Sequence, residues 1–508
     1  LIALLTVLLP ILATAQGVTT ASIFGKLVDA NTGEALIGAT VQAVHTPSGS
    51  TYGNATDLDG FFRIPGMRVG GPYTLTASYV GFESVMQENV FLTLGQAFEF
   101  SPDLGSSAVQ LEGVTVTSSR SDIFSGNATG AETNVSEEQI DVLPTVARAV
   151  GDFARLTPQA TVSEGNEGFS ISVGGMNNRY NAFYIDGAVS NDVFGLAGSG
   201  FNGGQTGVSP ISVDAIESFQ INVAPFDVRV AGFAGAAISA ITRSGTNNIE
   251  ASAYAFYRNQ NTIATELEGA TLAPFTAHTE GFRIGGPIVK NKAFFFINYE
   301  RQREETPLPF DSDDYIGDSS FDEINAFSNF LQSEFGYDPG TFTNNSRFLN
   351  SDKLTTKFDF NLSDKHKIGL RLGYVGSDIL EGVQYNNQNI NFLNGSERFE
   401  AQTYSAALEI NSLLSNSLSN SLTIGYVAQR DDRDPNGDPF PRVSIQDGSG
   451  RFTFGGEPFS SANLLNQDVF SINNNLEIYK GKHSITLGTN LEFYRAENLF
   501  IAFNYGSY

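Results

Sequence analysis

From Ile249 to its last residue the chain repeats one pattern: a stretch of alternating apolar and polar residues, a connector, then another such stretch. In 353–362, Leu354, Thr356, Phe358, Phe360 and Leu362 alternate with Lys353, Thr355, Lys357, Asp359 and Asn361. In 367–374, Ile368, Leu370, Leu372 and Tyr374 alternate with Lys367, Gly369, Arg371 and Gly373. A period of two gives a strand one apolar and one polar face. A soluble sandwich shares that alternation, so the connectors decide. They are by turns short (289–292, 363–365, 415–417, 480–482) and long (260–277, 304–351, 377–401, 431–467). That strict phase is the mark of a transmembrane β-barrel, which pairs all its backbone groups between strands and carries short turns at one rim and long loops at the other. If the first strand rises from the periplasm, every short turn is periplasmic. About ten strands are expected before Tyr508, whereas barrels wide enough to enclose a separate domain use about 22. The chain is therefore expected to be the N-terminal part of a longer protein, with about a dozen strands still to come.

The first residues, Leu1 to Leu12, are an apolar run followed by Ala13, Thr14 and Ala15. This is the pattern of a signal-peptide core and cleavage site, too short for a bilayer span of roughly 20 residues. A buried N-terminal helix is the alternative, disfavoured by the polar segment that begins at Gln16. Segment 1–15 is expected to be removed in export, and the lack of Met and of a basic stretch ahead of it implies residues upstream. No Cys follows the run, which argues against a lipid anchor there. The complete absence of Cys excludes thiol catalysis and Cys-based metal sites and suits an exported protein whose sheets need no disulfide. A net charge of −26 excludes nucleic acid as a partner, because phosphates demand Lys and Arg. The acidity reads as solubility charge on loops and periplasmic surfaces.

Residues 18–104 are short alternating stretches punctuated by turn signals at 31–33, 47–49, 57–60 and 70–72, the pattern of a small β-sandwich. The succession Gly25-Lys-Leu-Val-Asp29, Thr32-Gly-Glu34, Gly38-Ala-Thr-Val41, Thr56-Asp-Leu-Asp-Gly-Phe61, Tyr73-Thr-Leu75 and Gly81-Phe82 resembles the carboxypeptidase-regulatory-like domain, which implies a seven-stranded sandwich. Asp57 to Gly60 begins like a calcium loop, but the later ligands and the Glu at the twelfth position are missing, so a turn is the better reading.

Four blocks then follow in order: Ile171-Ser-Val-Gly-Gly-Met176, Phe183-Tyr-Ile-Asp-Gly187, Asp214-Ala-Ile-Glu217 and Gly235-Ala-Ala-Ile-Ser-Ala-Ile-Thr-Arg-Ser-Gly-Thr246. Together, over 128–248, they resemble the plug domain of TonB-dependent outer-membrane receptors, a small mixed α/β domain that fills a large barrel and passes directly into its first strand. Gly281-Phe-Arg-Ile-Gly-Gly-Pro-Ile288 with Lys292-Ala-Phe-Phe-Phe-Ile-Asn-Tyr-Glu300 further resembles the opening hairpin of Oar-like receptors. The resemblance implies a mostly β chain: sandwich at 18–104, linker at 105–127, mixed α/β plug at 128–248, and at 249–508 the first part of a barrel of about 22 strands. It implies the outer membrane of a Gram-negative bacterium as location, with the sandwich in the periplasm. Membrane lipid, TonB with its inner-membrane energising complex, an unidentified extracellular substrate and a possible surface lipoprotein are the implied partners.

In such receptors the TonB box lies between sandwich and plug, where this chain has Leu111, Glu112, Gly113, Val114, Thr115, Val116 and Thr117 in a Ser/Gly-rich linker. A short, extended, β-branched segment can add as a strand to a partner's sheet edge. Gly113 stands where the family has an acidic or apolar residue, which loosens the register, and the segment also reads as the sandwich's last strand. By motif position the gate candidates are Arg179, Asp186, Gly187, Glu217 and Arg243, because charges inside a barrel must be paired and can lock plug to wall. Asp186 and Gly187 read equally well as a hairpin turn.

Enzymatic signatures are missing. His45, His278, His366 and His483 lack metal-site spacing and are read at a loop, a strand start and two turn margins. No Gly-x-Ser-x-Gly elbow, phosphate-binding loop or His-Glu-x-x-His is present. The acidic runs Asp432 to Asp438 and Asp311 to Asp314 read as solvated loop, since Val443 stands where a bidentate Glu would be needed. No enzyme, metal or cofactor is expected. Besides transport, two functions stay open: a surface adhesion or matrix-organising protein of Oar type, and a carbohydrate receptor of the starch-utilisation type. The lack of Trp argues against the latter, and fold analogy is a poor warrant for it.

Overall fold

Alternation along the C-terminal half builds a single antiparallel sheet in the computed structural model, which describes residues 18–106, 115–117, 131–143, 145, 148–165, 168–223, 227–230, 232–263, 266–267, 270–271, 274–308, 310, 314–383, 386–481 and 483–508. The signal segment 1–15, Leu111 to Val114 and most of the linker lie outside these residues. The sheet has nine strands in chain order: Glu250–Asn259, Thr276–Val289, Ala293–Leu308, Asn345–Asn361, His366–Leu380, Glu397–Ser415, Leu418–Pro435, Asn463–Lys480 and His483–Phe500. Each pairs with the next, and the two end strands do not meet, so the wall is an open arc. Turns at 290–292, 362–365, 416–417 and 481–482 alternate with connectors at 260–275, 309–344, 381–396 and 436–462.

One face of the arc is apolar and bare: Leu354, Leu372, Tyr404, Tyr426, Phe470 and Phe493 are exposed on it. Lys353, Thr355, Arg371, Thr403 and Gln429, on the other face, are buried. Such a wall faces hydrocarbon with its apolar side, where a charge at mid-depth would cost about 2–4 kcal/mol. Nine wall strands, against about ten expected from the pattern, reflect where the remaining alternating stretches go. Val443–Asp447, Gly450–Phe454 and Asn389–Asn391 pair with each other outside the arc.

These strands belong to a small unit made by the long connectors. Its helix, Phe321–Phe335, starts where Ser320 Oγ accepts from the Glu323 amide and stops at Gly336, whose φ of 65° ends the helical turn. Phe392, Phe454, Phe342, Ile390, Ile324 and Leu331 form a shared core beneath it. Three of the long connectors thus pack into one cap, with Asp432, Asp434 and Asp438 exposed as expected, while Asp311 to Asp313 lie outside the described residues.

Ala131–Ser136, Ile216–Val223, Ala236–Thr242, Ala182–Ile185 and Ala188–Val189 form the sheet of an inner domain, in that spatial order. Helices Glu137–Val142 and Val150–Ala154 and the hairpin Ala160–Gly165/Gly168–Val173 cover it. Every residue of Ala236–Thr242 is buried, which is why the strand is built from Ala, Ser and Ile: both its faces meet protein. The core, which includes Phe153, Phe183, Phe219 and Ile238, also takes in Phe296 from the wall.

The N-terminal sandwich stacks two sheets on one core. The smaller holds Phe61–Met67, Ala21–Lys26 and Ala97–Glu99; the larger holds Val85–Leu92, Gly70–Ser78, Thr40–His45 and Ser50–Ala55. Ile23 and Ile64 from the first meet Val41, Ala43 and Leu75 from the second. His45, expected in a loop, instead closes strand Thr40–His45 as a buried residue, its ring 5.0 Å from Tyr73 and its Nδ1 2.7 Å from Ser48 Oγ. Burial, and after it the Arg68 cation, push the imidazole down to about 2. The unfolded chain takes up the proton near its ordinary pKa of about 6.5, so stability from the neutral ring is complete above that pH and drains as pH falls toward the folded value. The sandwich is predicted to lose about 2 kcal/mol between pH 7 and pH 5. Pulse proteolysis of the full chain across a urea series reads this, and a His45→Phe variant should show a flat profile over the same range.

Candidate functional site

The inner domain meets the wall through polar side chains that alternation places on the wall's buried face. At their centre is a two-residue turn. Asp186 (φ 46°) and Gly187 (φ 73°) join Ala182–Ile185 to Ala188–Val189, and positive φ at both positions is what a tight hairpin demands. The turn reading is therefore right. The gate reading also has geometry behind it, because the Asp186 carboxylate is only 5% exposed and points at cations of two wall strands. Its Oδ2 is 3.1 Å from Arg371 Nε and its Oδ1 3.5 Å from Lys357 Nζ. The Thr242 amide donates to Oδ1 at 2.9 Å and the Thr242 hydroxyl to Oδ2 at 2.6 Å. Lys357 Nζ also donates to the Thr242 carbonyl at 2.9 Å, so wall strand Asn345–Asn361 holds the turn and the central inner strand together. A buried carboxylate unpaired would cost several kcal/mol.

The other candidates divide. Glu217 is buried, but its partner is neither inner domain nor wall: Arg68 of the sandwich reaches it through Nε at 3.2 Å and Nη2 at 3.0 Å. Arg243 pairs with Glu137 and, at 2.8 Å, with Asp141 on helix Glu137–Val142. Asp141 in turn lies 3.7 Å from Arg283 of the wall, so Arg243 touches the wall at second hand. Arg179 is exposed in the turn Asn178–Tyr180, and among the described residues it forms no ion pair. Of the segment Leu111 to Thr117, only Thr115–Thr117 is described: it forms a strand parallel to Met86, Gln87 and Glu88, the outermost in the larger sandwich sheet. This is the position of a last sandwich strand.

Several wall partners went unnominated. Glu300, 2% exposed, accepts from Ser212 Oγ of the inner domain at 2.8 Å and from Lys353 Nζ of the next strand at 2.9 Å. Gln205 Nε2 donates to Asp431 at 2.7 Å, and Gln205 Oε1 accepts from Arg433 at 3.0 Å. Arg229 reaches Glu477 at 2.9 Å. Period-two polar positions on the strands, already visible at Lys353, Lys357 and Arg371, were the signal that could have found them. No cluster of three metal-binding side chains is present among the described residues.

Residues 22–104 match the carboxypeptidase regulatory-like domain, residues 125–238 the TonB-dependent receptor plug domain, and residues 241–312 and 325–508, half of the chain, an outer membrane beta barrel domain. The chain belongs to the TonB-dependent receptors. It is 25% identical over 301 residues to the TonB-dependent transporter Oar of Myxococcus xanthus, a match that covers 55% of this chain and 26% of Oar. The outer membrane transporter YddB from Escherichia coli shares the fold, with a TM-score of 0.54 at 14% identity over 72% of this chain and 48% of YddB. The chain thus spans about a quarter of the curated relative and about half of that solved structure. Family membership puts the receptor in the Gram-negative outer membrane, with the inner domain as its plug and the open arc as its barrel wall.

Removing either cation that faces Asp186 should loosen the seating of the plug. Loss of one partner from a buried ion pair typically costs about 3–5 kcal/mol, and the Thr242 donors that remain set the expectation at about 3. Arg371→Ala and Lys357→Ala receptors are predicted to reach the membrane yet admit a bulky antibiotic normally excluded by it. Unchanged antibiotic tolerance in both would show that the Asp186 cluster does not hold the plug.

Proposed function

We propose that the receptor takes up a large or scarce substrate actively across the outer membrane, using TonB and its inner-membrane complex as the source of work. The observation that carries this reading is the Asp186 cluster, a plug turn held by Lys357 and Arg371 from two wall strands. A plug locked by a few buried ion pairs closes the channel at rest and can be released by applied work without being built anew. The comparisons support this family role, while substrate, partners and the working divisions at 18–104, 105–127, 128–248 and 249–508 belong to the proposal. In it, substrate binds over the outer cap and the plug apex, with or without a surface lipoprotein, and Leu111 to Thr117 serve as the TonB box. Asp186 and Gly187 act as the wall lock, Arg243 holds the plug's first helix against the wall, Glu217 ties the plug to the sandwich, and Arg179 is free for substrate or for wall beyond the described strands. The adhesion role remains the second reading, favoured by the packed cap of aromatic residues on the long-loop side.

Proline at Val114 or at Val116 removes a main-chain donor and disfavours strand addition while leaving plug and wall intact. Both variants are predicted to keep surface abundance and lose capture of the TonB C-terminal domain and uptake. Undiminished capture would refute the assignment of the segment, and preserved cell adhesion with no uptake in the parent would favour the second reading. The orientation is checked separately, since the chain has no Cys. Single cysteines at Glu334 or Asp438, both exposed, should be labelled on intact cells by an impermeant thiol reagent. One at Asp364, exposed in a short turn, should stay unlabelled until the membrane is opened.

A further inference from the structure

Charge is divided unevenly across the wall. The long connectors at 260–275, 309–344, 381–396 and 436–462 carry fourteen Asp and Glu against two basic residues, Arg442 and Arg451. The short turns at 290–292, 362–365, 416–417 and 481–482 carry four Lys and one Asp. A field of that sign gathers cations over the long-connector side and turns anions away.

A place that takes a cation lies at the border of plug and wall. Tyr254 and Phe256 of strand Glu250–Asn259 stand two residues apart, so both rings fall on one face, with centroids 5.7 Å apart. The Arg148 guanidinium of the plug lies over both, 4.2 Å from the Phe256 centroid and 5.0 Å from that of Tyr254, and its Nη2 donates to Asp214. The Tyr254 hydroxyl is fixed in turn by donating to Glu300 Oε2 at 3.0 Å. Two aromatic faces and a carboxylate make a guanidinium receptor: the rings attract the flat face of the cation and the carboxylate takes its N–H edge. This receptor is filled by the protein's own side chain.

Arg148 also lines a cavity of about 270 Å³ that has bare backbone at Gly151, Gly168 and Gly207. The wall side of the cavity, at Arg258, Thr306 and Arg347, lies at the long-connector ends of three strands. Its cations are already engaged: Arg258 pairs with Glu304 at 3.4 Å, Arg347 with Glu381 at 3.3 Å and Lys353 with Glu300 at 2.9 Å. Arg283, also near Asp214, donates to its carbonyl at 3.5 Å and pairs with Asp141 at 3.7 Å. Withdrawal of Arg148 would therefore open the cage to the cavity and leave the Asp214 carboxylate without its guanidinium.

We propose that the receptor's substrate carries guanidinium groups, as an arginine-bearing peptide does, and that Tyr254, Phe256 and Asp214 form its subsite at the plug–wall border, held at rest by Arg148. This names a substrate class for the uptake proposed above and rests on that reading. The acidic long connectors gather the peptide, the cavity leads it inward, and one of its guanidiniums replaces Arg148. Arg148 stands just ahead of plug helix Val150–Ala154, so its displacement costs that helix its hold on the first wall strand.

The test uses the full-length receptor in discs of phospholipid without net charge, and a fluorescent hexa-arginine peptide. A counterpart with citrulline in place of arginine keeps the shape and loses the charge. The parent should bind the arginine peptide roughly tenfold more tightly than the citrulline one, a difference that shrinks as salt rises. Arg148→Gly suits the left-handed backbone there (φ 50°) and empties the cage. It should tighten arginine-peptide binding roughly tenfold, because a site occupied from within lowers apparent affinity by the fraction left free. Asp214→Asn added to it should cancel the gain with heat-modifiable mobility unchanged. A further variant leaves Arg148 in place: the chain has no Trp, so Phe256→Trp sets one reporter ring in the cage, and a nitroxide on the arginine peptide should quench it. Equal binding of the two peptides, parent affinity in a well-folded Arg148→Gly, or an unquenched reporter at saturating peptide overturns the proposal. TonB takes no part in these measurements. A receptor that ignores the peptide yet captures TonB loses this substrate class and keeps the uptake reading; one that binds the peptide but never captures TonB keeps the site and loses that reading.

Discussion

A carboxylate taken out of water between two domains has to be neutralised where it lies, and much of this receptor is arranged around doing that for Asp186. The turn that carries it needs left-handed backbone at two successive residues, which restricts what can stand there. The wall supplies Lys357 and Arg371 from adjacent strands, so the cluster exists only when those strands are in register and the plug is seated. A slip of one residue would carry both cations to the lipid face. Register of the wall, seating of the plug and pairing of one charge are thus a single condition.

The wall was legible because two independent regularities, period-two alternation and short-long connector phase, coincide over the whole C-terminal half. The turns fall at the short connectors, and Leu354 and Leu372 face outward as the alternation requires. Asp432 to Asp438, read as solvated loop, is exposed at Asp432, Asp434 and Asp438, but only Asn436 to Asp438 lie beyond a strand. Asp432 to Asp434 continue strand Leu418–Pro435, and the aromatic residues scattered through the long connectors form one core only after three distant segments meet. Periodicity is local, whereas that core is assembled across the rim.

Among the gate residues the same limit applies. Asp186 and Gly187 could be read two ways because local backbone chemistry sets the turn while a separate long-range contact pairs its carboxylate with the wall. Glu217 sits in a motif block, yet its partner is Arg68, 149 residues earlier, and no local pattern announces a contact between separate domains. Arg243 satisfied the argument that a buried charge needs a partner but found its partners on the plug's own helix. Arg179 was nominated by motif position, and it lies exposed in the turn Asn178–Tyr180, unlike the buried candidates.

The order of strands in the plug sheet has a mechanical consequence. Ala131–Ser136, the first described plug strand after the linker, lies at one edge and among the described strands pairs only with Ile216–Val223. Ala236–Thr242, next inward, runs straight into the barrel wall and is gripped on both sides. Load applied at the N-terminal end therefore falls first on a single six-residue seam that can unzip from its margin, while the opposite end stays tethered to the membrane. A pulled plug of this construction gives way at its margin before its middle and remains attached by the strand from which it can close again.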